Sequence, residues 1–244
     1  MKKITSLMST VIMMAVLTNV LSLISCKKDS QSLNSDKISD QAALKTSNNS
    51  SAEKSGAPLK VNLVHPTFNI EDANMQTPVG DATLLWNNVG HIPVLAPDGH
   101  QLTLGEFKSV LGYANIKCVN AGTHVVVHLM GLIPNGVYTI WVLPFKSPGF
   151  ELTFANLIGE GSLGAPDGSQ NAFTASVGGT ASLSVIIPAG SLSEFGSVGN
   201  CLSSEYEVHF AAAYHLDGLT HGRAPGAENT FVIQFAFPFY GSQL

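Results

Sequence analysis

The segment Tyr214–Gly226 reads YHLDGLTHGRAPG and gathers two imidazoles, His215 and His221, a carboxylate, Asp217, and the chain's one arginine, Arg223. Three chemistries use such residues. Two imidazoles and a carboxylate can ligate zinc or copper. The planar fork of Arg223 can receive a carboxylate or phosphate. A His–Asp pair can serve a nucleophile, but no serine stands in a nucleophile-elbow pattern, so hydrolysis is discounted. A purely structural reading stays open beside these: Arg223 pairs with Asp217 or Glu228 and pins a long loop.

The stretch that leads into this segment decides where the residues point. In EYEVHFAAAYH the side chains alternate as on a strand: Tyr206, Val208, Phe210, Ala212 and Tyr214 share one face, and Glu207, His209, Ala211, Ala213 and His215 the other. His215 therefore emerges at a strand end, beside Asp217 on a Gly-flanked loop. Loops held by a rigid sheet are where sites tend to sit. A second histidine pair, His124 and His128, has the spacing of a helical zinc motif, which works because residues four apart are neighbours on a helix. Here the run HVVVHLM favours a strand, where four residues span about 13 Å. The two rings share a face without converging, although they remain candidate additional ligands for zinc or copper. His91 and His100 lie near turn-forming sequence and add no fixed geometry.

Valine, isoleucine and aromatic residues dominate His124–Phe145, and Pro134-Asn135-Gly136 divides this run. The pattern predicts strands over His124–Leu132 and Val137–Phe145, joined as a hairpin through Asn-Gly. The same reasoning predicts strands over Lys60–Val64, Ala82–Trp86, Ile92–Leu95, Ala114–Val119, Ala172–Val177, Ala181–Ile187, Glu205–Tyr214 and Thr230–Phe237. Ala-Pro-Asp-Gly occurs at Ala96–Gly99 and again at Ala165–Gly168, each a turn-forming tetrapeptide. One short helix is expected over Thr103–Val110, with Thr103 and Glu106 at capping-box spacing. Tyr138, Trp86, Trp141 and the run FVIQFAFPFY read as core. Short strands with frequent turns predict an all-β fold, an immunoglobulin-like or jelly-roll-type β-sandwich with one short helix, over residues 58–244. The glycines of Gly159–Gly164 lack the strand-to-helix setting of a phosphate loop.

From Pro58 onward the chain carries five basic residues against thirteen acidic ones, a formal charge of −8. Nucleic acid is excluded as a partner on that balance, because phosphate neutralisation needs a basic face.

The first residues place the domain. Lys2 and Lys3 precede an uncharged, mostly apolar run from Ile4 to Ser25, the layout of a secretory signal peptide. Leu23-Ile24-Ser25-Cys26 resembles a bacterial lipobox. The resemblance implies cleavage before Cys26, lipidation of its thiol and attachment of a bacterial lipoprotein to the membrane; Lys27, where an aspartate would signal inner-membrane retention, implies the outer membrane. Two or three acyl chains on one residue anchor stably. With Cys26 lipidated, Cys118 and Cys201 are left as two cysteines in an exported protein, and a disulfide between them is the economical reading. Residues 26–57, rich in Ser, Asn, Asp and Lys and without an aromatic, form a disordered tether that spans roughly 30 Å.

Further along, GLIPNGVYTIWV resembles a phrase found in secreted bacterial β-sandwich proteins of unknown activity, over about a dozen residues and with no site attached. Copper-zinc superoxide dismutase is the comparison for an exported, His-rich sandwich with one disulfide, but its His-x-His strand signature is missing, since three residues separate His124 from His128. Two readings follow. One is a lipid-anchored cell-envelope protein of non-enzymatic binding or structural role, with a protein or small-molecule partner. The alternative is an envelope protein that binds zinc or copper through its histidines.

Overall fold

Strands form where β-branched and aromatic residues alternate, and they end where glycine and proline turn the chain. The computed structural model describes residues 57–146, 156–191, 201–202 and 206–244. The expected signal peptide 1–25, Cys26 and all but the last residue of the expected tether 26–57 lie outside them. Along the chain the strands are β1 (Leu59–Asn62), β2 (Ile70–Glu71), β3 (Trp86–Asn87), β4 (Ile92–Pro93), β5 (Leu111–Val119), β6 (Gly122–Met130), β7 (Val137–Phe145), β8 (Gly161–Ser162), β9 (Ala172–Thr174), β10 (Ala181–Pro188), β11 (Glu207–His215) and β12 (Phe231–Tyr240), with one α-helix, α1 (Leu104–Phe107).

Sheet I has the order β1-β5-β6-β10, and sheet II the order β12-β11-β7-β8, with β9 also on β7. Both are antiparallel. A small third sheet is β2-β3-β4. The inner faces of sheets I and II meet in one apolar core. Ala114, Ile116, Val125, Val127, Val185 and Ile187 come from sheet I, and Tyr138, Ile140, Phe210, Ala212, Phe235 and Phe237 from sheet II. This is the all-β sandwich that the sequence predicts.

The long strands β6, β7, β10, β11 and β12 stand where the sequence reading expects them, but one connection does not. β6 and β7 are not a hairpin: β6 pairs β5 and β10, while β7 pairs β11, β8 and β9. Pro134-Asn135-Gly136 instead carries the chain from one sheet to the other. Asn135 has φ 58°, and the Gly136 amide closes on the Ile133 carbonyl at 2.9 Å. A turn with proline at its second position and a left-handed third residue lacks the two consecutive left-handed residues of the Asn-Gly hairpin turn. The buried Leu132 and Ile133 fix this crossing in the core.

Expected strands over Ala82–Trp86 and Ala172–Val177 shrink to β3 and β9, because Leu84 makes only an isolated bridge to Thr103 and Ser176–Gly179 forms a turn. The helix is one turn, with both halves of the Thr103–Glu106 capping box present. A side chain at Gly105 would strike Asp81, with Cβ 2.9 Å away. Both Ala-Pro-Asp-Gly segments close as turns, the final amide reaching the first carbonyl at 2.9 and 3.0 Å. The Cys118–Cys201 disulfide is formed across 83 residues, with Cα atoms 5.5 Å apart. Such a loop stabilises by roughly 4 kcal/mol in the chain-entropy model.

Sheet II departs from a half-exposed sheet. A bulge in β12, where the pairing shifts between Ala212 and Ala213, leaves Gln234 as the extra residue and fully buried. Its Oε1 accepts from the Tyr138 hydroxyl at 2.8 Å and its Nε2 donates to the Phe107 carbonyl at 2.8 Å. The outer face is buried as well: every residue of β11 is buried, including Glu207, His209 and His215. Asn69 and Asn87 dock the chain around the small third sheet onto β12, each donating to the Phe231 carbonyl, at 3.1 and 2.7 Å.

Candidate functional site

The candidate centre is built where β11 ends. His215 is its last residue, 2% exposed. The chain then turns sharply. The Leu216 amide bonds the Thr230 carbonyl at 2.7 Å, and Asp217 Oδ1 accepts from the Leu219 amide at 3.0 Å. That local bond is the habit of aspartate in turns. The loop is laid on the second Ala-Pro-Asp-Gly turn: Asn171 Nδ2 donates to the Gly222 carbonyl at 3.1 Å. A Cβ on Gly168 would stand 2.3 Å from the Arg223 amide nitrogen, so only glycine permits that approach. His221 comes back over His215, with ring centroids 5.5 Å apart. Its Nε2 lies 2.9 Å from Asp217 Oδ2.

His215, Asp217 and His221 thus each offer one ligand atom, and these atoms lie within 4.8 Å of one another. The sequence places these three within seven residues, at a strand end and in the loop after it, and the structure brings them together. It does not bring His124 or His128 to them. Those rings stand on the outer face of sheet I, where His124 meets Ser184 at 3.0 Å and His128 meets Ser182 at 3.4 Å. Arg223 is exposed. Asp217 pairs with His221 rather than with Arg223, and the guanidinium acts instead on Glu160, whose carboxyl it draws down against a larger upward push from burial.

Thr139, which sequence reasoning passed over, and Trp141, which it read only as core, complete the setting. Thr139 Oγ1, on the neighbouring strand β7, lies 2.7 Å from His215 Nε2. Trp141 stands edge-on to the His215 ring, with centroids 6.1 Å apart. The β7–β11 register that sets both contacts is not written in either strand alone. The other nitrogen of His215, Nδ1, is buried and has no hydrogen-bond partner among the described residues.

Burial lowers the His215 pKa to about 4, with His221 pushing the same way and Asp217 opposing. His215 is therefore a neutral imidazole near pH 7, with a lone pair to offer. Burial pushes the Asp217 carboxyl upward, but the Leu219 amide, His221 and His215 outweigh it, leaving a carboxylate held below its ordinary range. A neutral imidazole, a second imidazole and an ionised carboxylate form a three-donor set for zinc or copper, and equally the two-histidine, one-carboxylate set used by iron(II). A ligating histidine usually fixes its ring by donating the other N–H to a neighbour, the role available to Thr139.

Compared with protein-family models, curated proteins and solved structures, the chain finds no match.

Proposed function

We propose that this chain is a lipid-anchored, non-enzymatic binding protein of the bacterial cell envelope, held at the outer membrane through Cys26, and that it binds a zinc or copper ion at His215, Asp217 and His221. One observation carries the metal reading: His215 Nδ1 is buried without a partner beside two further ligand groups. Leaving a buried polar atom unsatisfied costs about 1–3 kcal/mol, and a metal ion removes that penalty. The anchor rests on the lipobox resemblance at Leu23–Cys26.

The test uses the full-length protein, stripped with chelator and titrated with zinc and then copper(II) in a calorimeter. One equivalent of metal is expected, lost in Asp217→Asn and His221→Ala and kept in the double variant His124→Ala/His128→Ala. Absence of stoichiometric metal, a preference for iron(II), or loss of binding only in the sheet I variant overturns the assignment. For the anchor, Cys26→Ala is expected to move the protein from the membrane to the soluble fraction. Retention in the membrane overturns that part alone.

A further inference from the structure

The outer face of sheet II carries a second feature that the metal centre does not use. A cavity of about 410 Å³ opens there, within the range of small-molecule sites. Its origin lies in the strand register. Ala211 sits opposite Trp141 across the β7–β11 pairing, so a methyl group faces an indole and leaves the space above it unfilled. Trp141, Ala211 and Ile233 line it from the sheet, and Phe68, Phe145 and Phe231 add aromatic wall. The wall beside β12 is held in place: Asn69 Oδ1 accepts from the Ile233 amide at 2.8 Å, and Asn87 Nδ2 reaches the Glu228 carbonyl at 3.2 Å as well as that of Phe231. The cavity is thus preformed.

Charge selects the occupant. The charged side chains lining the cavity are two carboxylates, Glu160 and Glu228, with no basic one among the described residues. Glu160 is exposed as a residue, yet burial raises its carboxyl. The Arg223 guanidinium acts on Glu160 from outside the lining. No basic side chain pairs with Glu228 among the described residues. Aromatic rings present a negative face to a cation, and carboxylates at a mouth repel anions. We propose that this cavity is a binding site for a small organic cation, with a ring-bearing apolar body against Trp141 and Phe231 and a protonated amine at Glu160 and Glu228. The site is separate from the metal centre, although Trp141 and Phe231 also flank His215, at 6.1 and 6.4 Å between centroids.

A matched series of probes tests this: 2-phenylethylamine, 2-phenylethanol and 3-phenylpropionate, each titrated into the full-length Trp86→Phe protein. In that background Trp141 is the only tryptophan, and its emission on excitation at the red edge reads the cavity; calorimetry gives an independent affinity. The amine is expected to bind saturably, the alcohol about tenfold more weakly and the carboxylate more weakly still, the tenfold step being one surface-type charge contact and one cation–π contact. The double variant Glu160→Gln/Glu228→Gln is expected to bring the amine down to the affinity of the alcohol and leave the alcohol unchanged. Both positions are exposed, so the variant tests charge rather than folding, and near-ultraviolet circular dichroism checks that.

Several results overturn the proposal. They are equal binding of amine and alcohol, an amine affinity untouched by the double variant, or no saturable signal from any probe. So is a concentration-dependent dimer that shields Trp141, which would place a second copy of the chain in the cavity. Chelator-treated protein is expected to bind the amine as well as metal-loaded protein does. Binding that requires zinc would make the metal the recognition element and overturn the separate site, whereas a failure of metal binding alone leaves it standing.

Discussion

His124 and His215 each approach a hydroxyl on a neighbouring strand, at 3.0 Å to Ser184 and 2.7 Å to Thr139. Both rings lie on the outer face of a sheet of the same sandwich. The first pair stands in solvent and the second is buried. Sheet I shows water a face of His124, His128, Ser182 and Ser184, as an antiparallel sheet usually does. Sheet II covers the equivalent face with its own chain, docked through Asn69 and Asn87. The same imidazole–hydroxyl contact is therefore a surface detail on one side and a constrained, partly unsatisfied group on the other. The lesson is that the strand pattern selects a face, while burial of that face decides whether its polar residues become a site.

The largest test of this contrast is a charge placed on each outer face. Ala213→Asp buries a carboxylate beneath the covered face of sheet II, where Ala213 is 0% exposed. It is expected to lose about 3 kcal/mol or more, or to prevent folding. Val126→Asp, between His124 and His128 on sheet I, is expected to stay within about 0.5 kcal/mol. Urea midpoints measure both. Equal losses would mean that the face of sheet II is open to water.

A finer test removes only the hydroxyl. Thr139→Val leaves His215 Nε2 without its partner and is expected to lose about 1–3 kcal/mol of stability. If the metal centre is as proposed, zinc affinity falls about 10- to 100-fold in the same variant. Ser184→Ala removes the matching group on sheet I and is expected to change neither quantity beyond about 0.5 kcal/mol. A zinc affinity that survives Thr139→Val would detach His215 from the centre.

Much of this was legible in the sequence, for reasons that can be given residue by residue. β7 was readable because Val, Tyr, Ile and Trp crowd directly after a turn, with no competing helical period. The capping box at Thr103–Glu106 and the two Ala-Pro-Asp-Gly turns are local patterns, and each formed. His215, Asp217 and His221 were legible as a group because a strand end and the loop after it carry all three within seven residues. What the sequence hid was non-local. The partner of β7 is β11 rather than β6, since a turn signal says that the chain reverses but not which strand it then joins. Thr139 could be found only through that register. Glu207 and His209, 2.5 Å apart and buried, share the strand face of His215 in the sequence, but their burial depends on chain from elsewhere. The bulge at Gln234 leaves no mark in FVIQFAF beyond a lone polar residue.

The smallest expected effect belongs to a histidine in the opposite setting from His215. His100 lies half exposed, with Nδ1 2.5 Å from Asp98 and Nε2 3.2 Å from Glu106. The hydrogen bond to Asp98 is the main reason its pKa is raised, with both carboxylate charges adding to it and burial opposing. The protonated ring is thus favoured in the folded protein, while the unfolded ring titrates near 6.5. Its stabilisation is complete below that value and is lost as pH rises through the higher folded one. Exposure limits it to under about 1 kcal/mol, no more than about 2–4 °C in Tm for a domain of this size. His100→Gln is expected to melt slightly below the unaltered protein at pH 5.5 and level with it at pH 8.5. At His215 burial sets the opposite direction, holding the ring neutral. A gap at His100→Gln that widened with pH would mean that burial, and not the two carboxylates, governs His100 too, and the contrast between covered and open histidines would lose its electrostatic half.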